Sequence, residues 1–330
     1  MNINDVAKRA GVSRGSVSNY LNNRRVSDGI KGKIEQAIAE LNYVPNTAAR
    51  DLRKRASNFV VFIIPTVRTP FFAELTYYVQ MYLTQKDYKM ILCISDSNFE
   101  REKDYLEMAE GQKVAGIISI SYSQMNLYVK PTIPLVSIEK EPTGFFPLVS
   151  SDNYQGGQLA AEKLQEFNPE KIILIGLENP DTAMLARQSG FIDKCRQVGI
   201  LPTEFLLNST THNSEKTYKK LINFCRELKK EKIGIFAITD EYAFLVYRIL
   251  SNMGIQIPEQ VQIIGFDGSN EHKEGNQLLS SIRQPVEQLA SIAVDQLEQS
   301  IAADGQHKNV ARIYLPVKFQ QGDTTPKIEN

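Results

Sequence analysis

The chain has 330 residues, 42% of them hydrophobic, enough to bury a large core and to build two or three domains. Its longest apolar run, FVVFII at 59–64, is too short to span a bilayer, and MNINDVAKRA holds no apolar secretion segment, so a cytoplasmic protein without membrane contact is expected. The 38 Lys/Arg and 38 Asp/Glu cancel over the whole chain but not along it: residues 1–57 hold 11 basic against 5 acidic side chains, and a basic head on an acidic body points to nucleic acid as the head's partner.

Three short helices are predicted in the head. Asn4 can cap the first, whose Val6, Ala7 and Ala10 share a face and which Gly11 breaks. In the stretch GVSRGSVSNYLNN, Ser13 is placed to cap a second helix running from Arg14 to about Leu21. Two helices joined by three or four residues must cross steeply, which is the helix-turn-helix arrangement, with the second helix entering the major groove. In IKGKIEQAIAEL, Ile30, Ile34, Ala37, Ile38 and Leu41 form the stripe of a third helix that closes the core. Pro45 stops it, and Asn46 can cap a short segment in which Ala48, Ala49 and Leu52 share a face beside basic Arg50, Arg53, Lys54 and Arg55. So short a segment needs a partner to stay helical, and two copies paired against DNA would supply one.

From residue 58 the pattern alternates. FVVFII, KMILCI, VAGIISI, IPLVSI, KIILIG, IGIFAI and VQIIGF are short apolar runs of the kind buried parallel strands show, and amphipathic stretches at 71–86, 99–111, 155–166, 183–198, 214–229, 241–253 and 286–303 lie between them. So many strands require a doubly wound α/β body with more than one sheet. Cys93, Cys195 and Cys225 each fall inside an apolar segment and read as buried free thiols. His212, His272 and His307 have no metal-ligand spacing, and no glycine-rich phosphate loop, nucleophile elbow or paired carboxylates stand out, so neither a metal, a cofactor nor an enzymatic activity is expected.

DVAKRAGVSRGSVSNYLNN followed by AIAELNYVPNTAARDLRK resembles the head of the lactose-repressor (LacI/GalR) family of bacterial transcription regulators. The resemblance continues through IPTVRTPFFAEL, CISDSNFEREKDYLEM, SSDNYQGGQLAAEKL, ARQSGF, AITDEYAF, IIGFDGS and SIRQPVEQLASIAVDQL, and so covers nearly the whole chain. It implies a helix-turn-helix domain at 1–45 and a hinge helix at 46–57. It also implies a body at 58–330 built like periplasmic binding proteins, with one subdomain of about 58–157 and 285–317 and another of about 158–284 and 318–330. Ser13, Arg14, Gly15, Ser16 and Asn19 would face DNA, with Asn46, Ala49 and the wedging Leu52 at the hinge. The partners implied are a near-palindromic double-stranded operator, a second copy of the chain and a carbohydrate effector held between the subdomains.

Ligands of open α/β sheets gather where strands end, and the residues there suit a sugar: carboxylates accept vicinal hydroxyls, a guanidinium donates a fork of hydrogen bonds, and an aromatic ring packs on the C–H face. Matched to the family, the expected effector contacts are Phe72, Ser121, Asp152, Arg187, Asp240, Asp267 and Gln284. The overall expectation is a repressor of a carbohydrate-utilisation operon. A global carbon-catabolite regulator with a phosphoprotein corepressor is the alternative within the family. A transporter's sugar receptor would share the body but not the basic head.

Two positions depart from the family pattern. Thr239 stands where many members have Asn, and Asn19 where many have Arg. Arg suits O6 and N7 of guanine, whereas Asn suits the N6/N7 edge of adenine, and a good bidentate pair discriminates by about 1–3 kcal/mol. Asn19→Arg is therefore expected to move preference toward guanine at one symmetric pair of operator positions, checked by selecting sites from random DNA with parent and variant. Identical consensus sites would show that Asn19 reads no base.

Overall fold

A computed structural model describes residues 1–21, 24–43, 57–121, 128–130, 133–141, 146–208, 215–228, 231–268, 277–303 and 310–327. Residues Met1–Ser57 and Asn58–Asn330 form two compact units.

The first unit holds α1 (Ile3–Ala10), α2 (Arg14–Leu21) and α3 (Asp28–Glu40). Helix α1 starts earlier than predicted, because Asn2 and not Asn4 is its cap. The Asn2 side chain accepts the Asn4 N–H at 2.8 Å while the Asp5 carboxylate accepts the Asn2 N–H at 2.8 Å, a reciprocal pair that satisfies two otherwise orphaned donors. Gly11, at φ 63°, ends the helix in the left-handed region. Ser13 Oγ accepts the Ser16 N–H at 3.1 Å and opens α2. Val6, Val17 and Ile34, all fully buried, interlock with Ala7, Ala10 and Ala37 to form the core, and Arg9 pairs with Glu40 at its edge. The hinge positions Asn46, Ala49 and Leu52, and Pro45, lie outside the described residues.

The second unit is built on two six-stranded sheets. The first takes β1 (Phe59–Ile64), β2 (Lys89–Ile94), β3 (Gly116–Ser119), β4 (Leu135–Ile138), β5 (Leu148–Ser151) and, from far along the chain, β11 (Arg312–Leu315). Its order is β11-β5-β4-β3-β1-β2, all parallel. Helices α4 (Pro70–Gln85) and α10 (Val286–Ala302) cover one face through Leu75, Val79, Leu289 and Ala293, and α5 (Phe99–Gly111) covers the other through Leu106 and Ala109.

The second sheet takes β6 (Lys171–Leu177), β7 (Thr203–Leu207), β8 (Ile233–Ala237), β9 (Val261–Asp267), β10 (Ser280–Arg283) and β12 (Lys318–Gln320), ordered β12-β10-β9-β8-β6-β7 with only β12 antiparallel. It carries α6 (Asn153–Glu166), α7 (Thr182–Gln197), α8 (Glu215–Arg226) and α9 (Asp240–Asn252). The chain passes between the sheets three times, after β5, after β10 and between β11 and β12. The first passage falls at Asp152, upstream of the boundary expected near residue 157, because α6 packs as one piece on the second sheet through Ala160, Ala161 and Leu164. Cys93, Cys195 and Cys225 are buried free thiols.

Helices α6 and α7 meet backbone to backbone. A Cβ on Gly157 would lie 2.1 Å from the Arg187 carbonyl oxygen, and one on Gly190 would lie 2.1 Å from that of Tyr154. This approach brings Asn153 Oδ1 within 2.7 Å of Arg187 Nε. Gly157→Ala is accordingly expected to destabilise the second unit by about 1–3 kcal/mol or more, since neither helix can yield without losing its packing. Gly111→Ala, with nothing within 4 Å of the added carbon, should be neutral or slightly stabilising. Urea melts of both variants check the contrast.

Candidate functional site

On the first unit, α2 turns Val17 into the core and leaves Arg14, Gly15 and Asn19 exposed, with Ser13 exposed just ahead of the helix. Ser16 is half-buried, its hydroxyl 3.0 Å from that of Ser13. Four of the five predicted base-facing residues, Ser13, Arg14, Gly15 and Asn19, thus lie exposed at the surface. Short polar side chains carried on a helix can read base edges in the major groove, while lysines and arginines generally meet phosphate.

In the second unit the strand ends of both sheets meet at a cleft with about 570 Å³ of space, part of it open to solvent. Its floor is a buried ion network centred on Arg187, which α7 projects from the second subdomain. Nε donates to Asn153, one terminal nitrogen donates to the Ile238 carbonyl at 2.9 Å and to Asp267 Oδ1 at 3.3 Å, and the other lies 4.0 Å from Glu139 Oε2. The guanidinium also stacks on the Phe266 ring, 3.7 Å from its centroid. Glu139 follows β4 of the first subdomain and adopts φ 62°. Its carboxylate accepts the Ser151 N–H at 2.6 Å and the Asn153 amide at 2.7 Å. Burial pushes its pKa up, and the neighbouring Arg187 charge holds it back.

Asp267 ends β9 with φ 121°, a conformation few non-glycine residues hold unless their surroundings fix it. Gln284 Nε2 donates to Asp267 Oδ1 at 2.6 Å and the Gln284 carbonyl accepts from the Ser151 hydroxyl at 2.7 Å. Both hydrogen bonds reaching the Asp267 side chain from the described residues end on Oδ1, and the residue lines the cleft. Burial raises the Asp267 pKa, while Arg187 and Gln284 act against it. Phe71 and Phe72 open α4 and form one wall, their rings packed edge to face 5.2 Å apart.

Phe72, Arg187, Asp267 and Gln284 therefore line the cleft together. Three expected contacts do not. Asp240 is engaged elsewhere, with Oδ1 accepting the Ser281 hydroxyl and Oδ2 the Gly268 N–H at 2.8 Å, and Thr239 caps α9. Asp152 caps α6 by accepting the Gln155 N–H at 2.9 Å. Ser121 donates to buried Glu102 at 2.7 Å, behind the cleft wall. The cleft is also lined by Glu139, Lys140, Asp181 and Glu241, none of them among the expected contacts. Glu139 and Lys140 directly follow IPLVSI, so the strand-end rule that singled out Asp267 would have found them.

Residues 2–46 match the family described as bacterial regulatory proteins, lacI family, and residues 161–325 match a periplasmic binding protein-like domain. Over 98% of its length the chain is 33% identical to the sucrose operon repressor of Streptococcus mutans, 98% of which is covered. It also resembles a periplasmic binding protein/LacI transcriptional regulator from Alkaliphilus metalliredigens QYMF, solved with D-xylulofuranose, at 29% identity and a TM-score of 0.70 over 82% of this chain and all of that one. The lac repressor dimer bound to operator and the anti-inducer ONPF shares the fold, with a TM-score of 0.85 at 20% identity over 98% of this chain and 99% of the other. The chain belongs to the lacI family of bacterial regulatory proteins, DNA-binding regulators of transcription.

Burial, reinforced by the Asp267 charge, pushes the Glu241 pKa from its ordinary 4.5 up to about 7. Ionising Glu241 thus costs the folded state stability: the cost is absent below about pH 4.5, grows between 4.5 and 7, and is complete above 7. Glu241→Gln is expected to match the parent near pH 4.5 and to exceed it by about 2 kcal/mol at pH 8. Denaturant titrations across that range measure the difference, and a constant offset would assign Glu241 an ordinary pKa.

Proposed function

We propose that the protein represses a carbohydrate-utilisation operon in the cytoplasm and performs no turnover of its own. In this reading two copies grip a near-palindromic operator through α2, residues 46–57 act as a hinge in which Asn46, Ala49 and Leu52 meet the DNA, and a sugar in the cleft sets the affinity. A sugar-operon name on a relative covering almost the whole chain, and a sugar in a neighbouring structure, support this. The observation that carries it is the Asp267 carboxylate, held through Oδ1 by Arg187 and Gln284 in a cleft that Phe71 and Phe72 also line, a pairing suited to sugar hydroxyls and C–H groups.

The cleft joins two subdomains, so a ligand that touches both favours one arrangement of them over another. The difference in its affinity for the two arrangements is the entire signal available to the operator-binding head. Asp267→Asn keeps the side chain's shape but removes its charge and one acceptor. It is expected to weaken effector binding by roughly ten-fold or more, about 1–3 kcal/mol, and to abolish the sugar's effect on DNA while leaving operator affinity unchanged. Anisotropy titrations on selected operator DNA, with and without sugar, test this. Equal sugar responses of parent and variant would remove Asp267 from the site.

A further inference from the structure

Four carboxylates (Glu139, Asp181, Glu241 and Asp267) and two cations (Lys140 and Arg187) line the cleft. Both cations have acidic neighbours, and the carboxylates outnumber them. Arg187 is enclosed by Glu139, Asp267, Asn153 and the Ile238 carbonyl, with one face against Phe266. Lys140 sits in the fields of Asp181 and Glu102, and its burial already works against the charged ammonium.

The other features that attract anions are also occupied. The N-termini of α4, α7 and α9 all reach the cleft wall, and such ends favour negative charge. Each is capped from within: Thr69 accepts the Phe72 N–H, Asp181 the Met184 N–H at 2.9 Å, and Thr239 the Tyr242 N–H. Asp181 at the head of α7 and Glu241 in the first turn of α9 put the protein's own negative charges where a phosphate would sit.

Resting on the reading of the cleft as a sugar site, we propose that it selects an uncharged, unphosphorylated sugar and rejects the phosphate ester, with Asp181 and Glu241 as the residues that enforce the choice. A dianion brought among carboxylates in a cleft of reduced dielectric meets repulsion that no described lining residue offsets, whereas hydroxyls find acceptors. The relevant measurement is calorimetric titration of the full-length protein at pH 7.5 with D-ribose, D-xylulose and sucrose, each against its monophosphate ester. At least one free sugar should bind, with its ester roughly ten-fold weaker or worse. Glu241→Gln and Asp181→Asn should each narrow that gap several-fold by strengthening the ester. An ester that binds as tightly as its parent sugar overturns the proposal, and a gap unmoved in both variants overturns the roles of these two residues. Failure of every sugar and every ester to bind is a different result: it defeats the sugar reading itself, and the same sugars would then leave the operator titration unchanged.

Discussion

The body is organised around one buried guanidinium. An isolated charge removed from water costs far more than a protein of this size has in reserve, so Arg187 can exist at 5% exposure only if its surroundings are built to receive it. They come from both subdomains. Glu139 approaches from the end of a strand in the first sheet, Asp267 and the Ile238 carbonyl from strand ends in the second, and Asn153 from the first turn after a crossing. The two acidic residues both accept unfavourable positive backbone angles to do so. Such strain persists only where neighbours determine the conformation, and here the Ser151 N–H, Gln284 and Arg187 determine it.

A second consequence is electrostatic. The network compensates Arg187 but leaves the cleft with more carboxylate than cation, and the surplus stands at helix starts, where partial positive charge moderates it. The cleft is thus polar and acceptor-rich without being a trap for anions. Its floor is held by groups already bonded to one another across the two subdomains. Arg283, bonded to Glu74 of α4 at 2.9 Å and to the Gly268 carbonyl at 2.8 Å, holds the two subdomains together beside that floor.

Much of this was legible in the sequence, for identifiable reasons. The inner strands other than β5 and β10 stand out because strands covered on both faces must be largely apolar, as FVVFII and KIILIG are, whereas half of β5, LVSS, is buried serine. Strands β7, β11 and β12 do not stand out because their short runs mix apolar with charged or polar residues and stay partly in water. The sequence SSIR of β10 escaped for another reason. Its serines are fully buried through hydrogen bonds to Thr324, Thr325 and Asp240, which hydropathy does not register. At the site, Asp267 and Arg187 followed from strand-end logic and resemblance. Asp240 does not reach the cleft because neighbouring residues at a helix start point in different directions, and the one that lines the cleft is Glu241. The direction of a side chain at the first turn of a helix depends on tertiary packing that no local pattern encodes.

The three passages between sheets bear on how the protein is made. The second subdomain is complete in one stretch from α6 to β10, apart from the short strand β12. The first is divided: β1 to β5 end at Ser151, but α10, which covers the sheet's face, begins only at Val286 and β11, which extends the sheet, at Arg312. A chain emerging from the ribosome therefore completes its operator-binding head first and most of its second subdomain next, while the sheet made in between waits with Ile118, Val136 and Val149 uncovered. The ligand cleft, whose floor needs Gln284, and the core beneath it mature only as the last fifth of the chain is read, so a truncated product carries the DNA-binding helices without the means to control them.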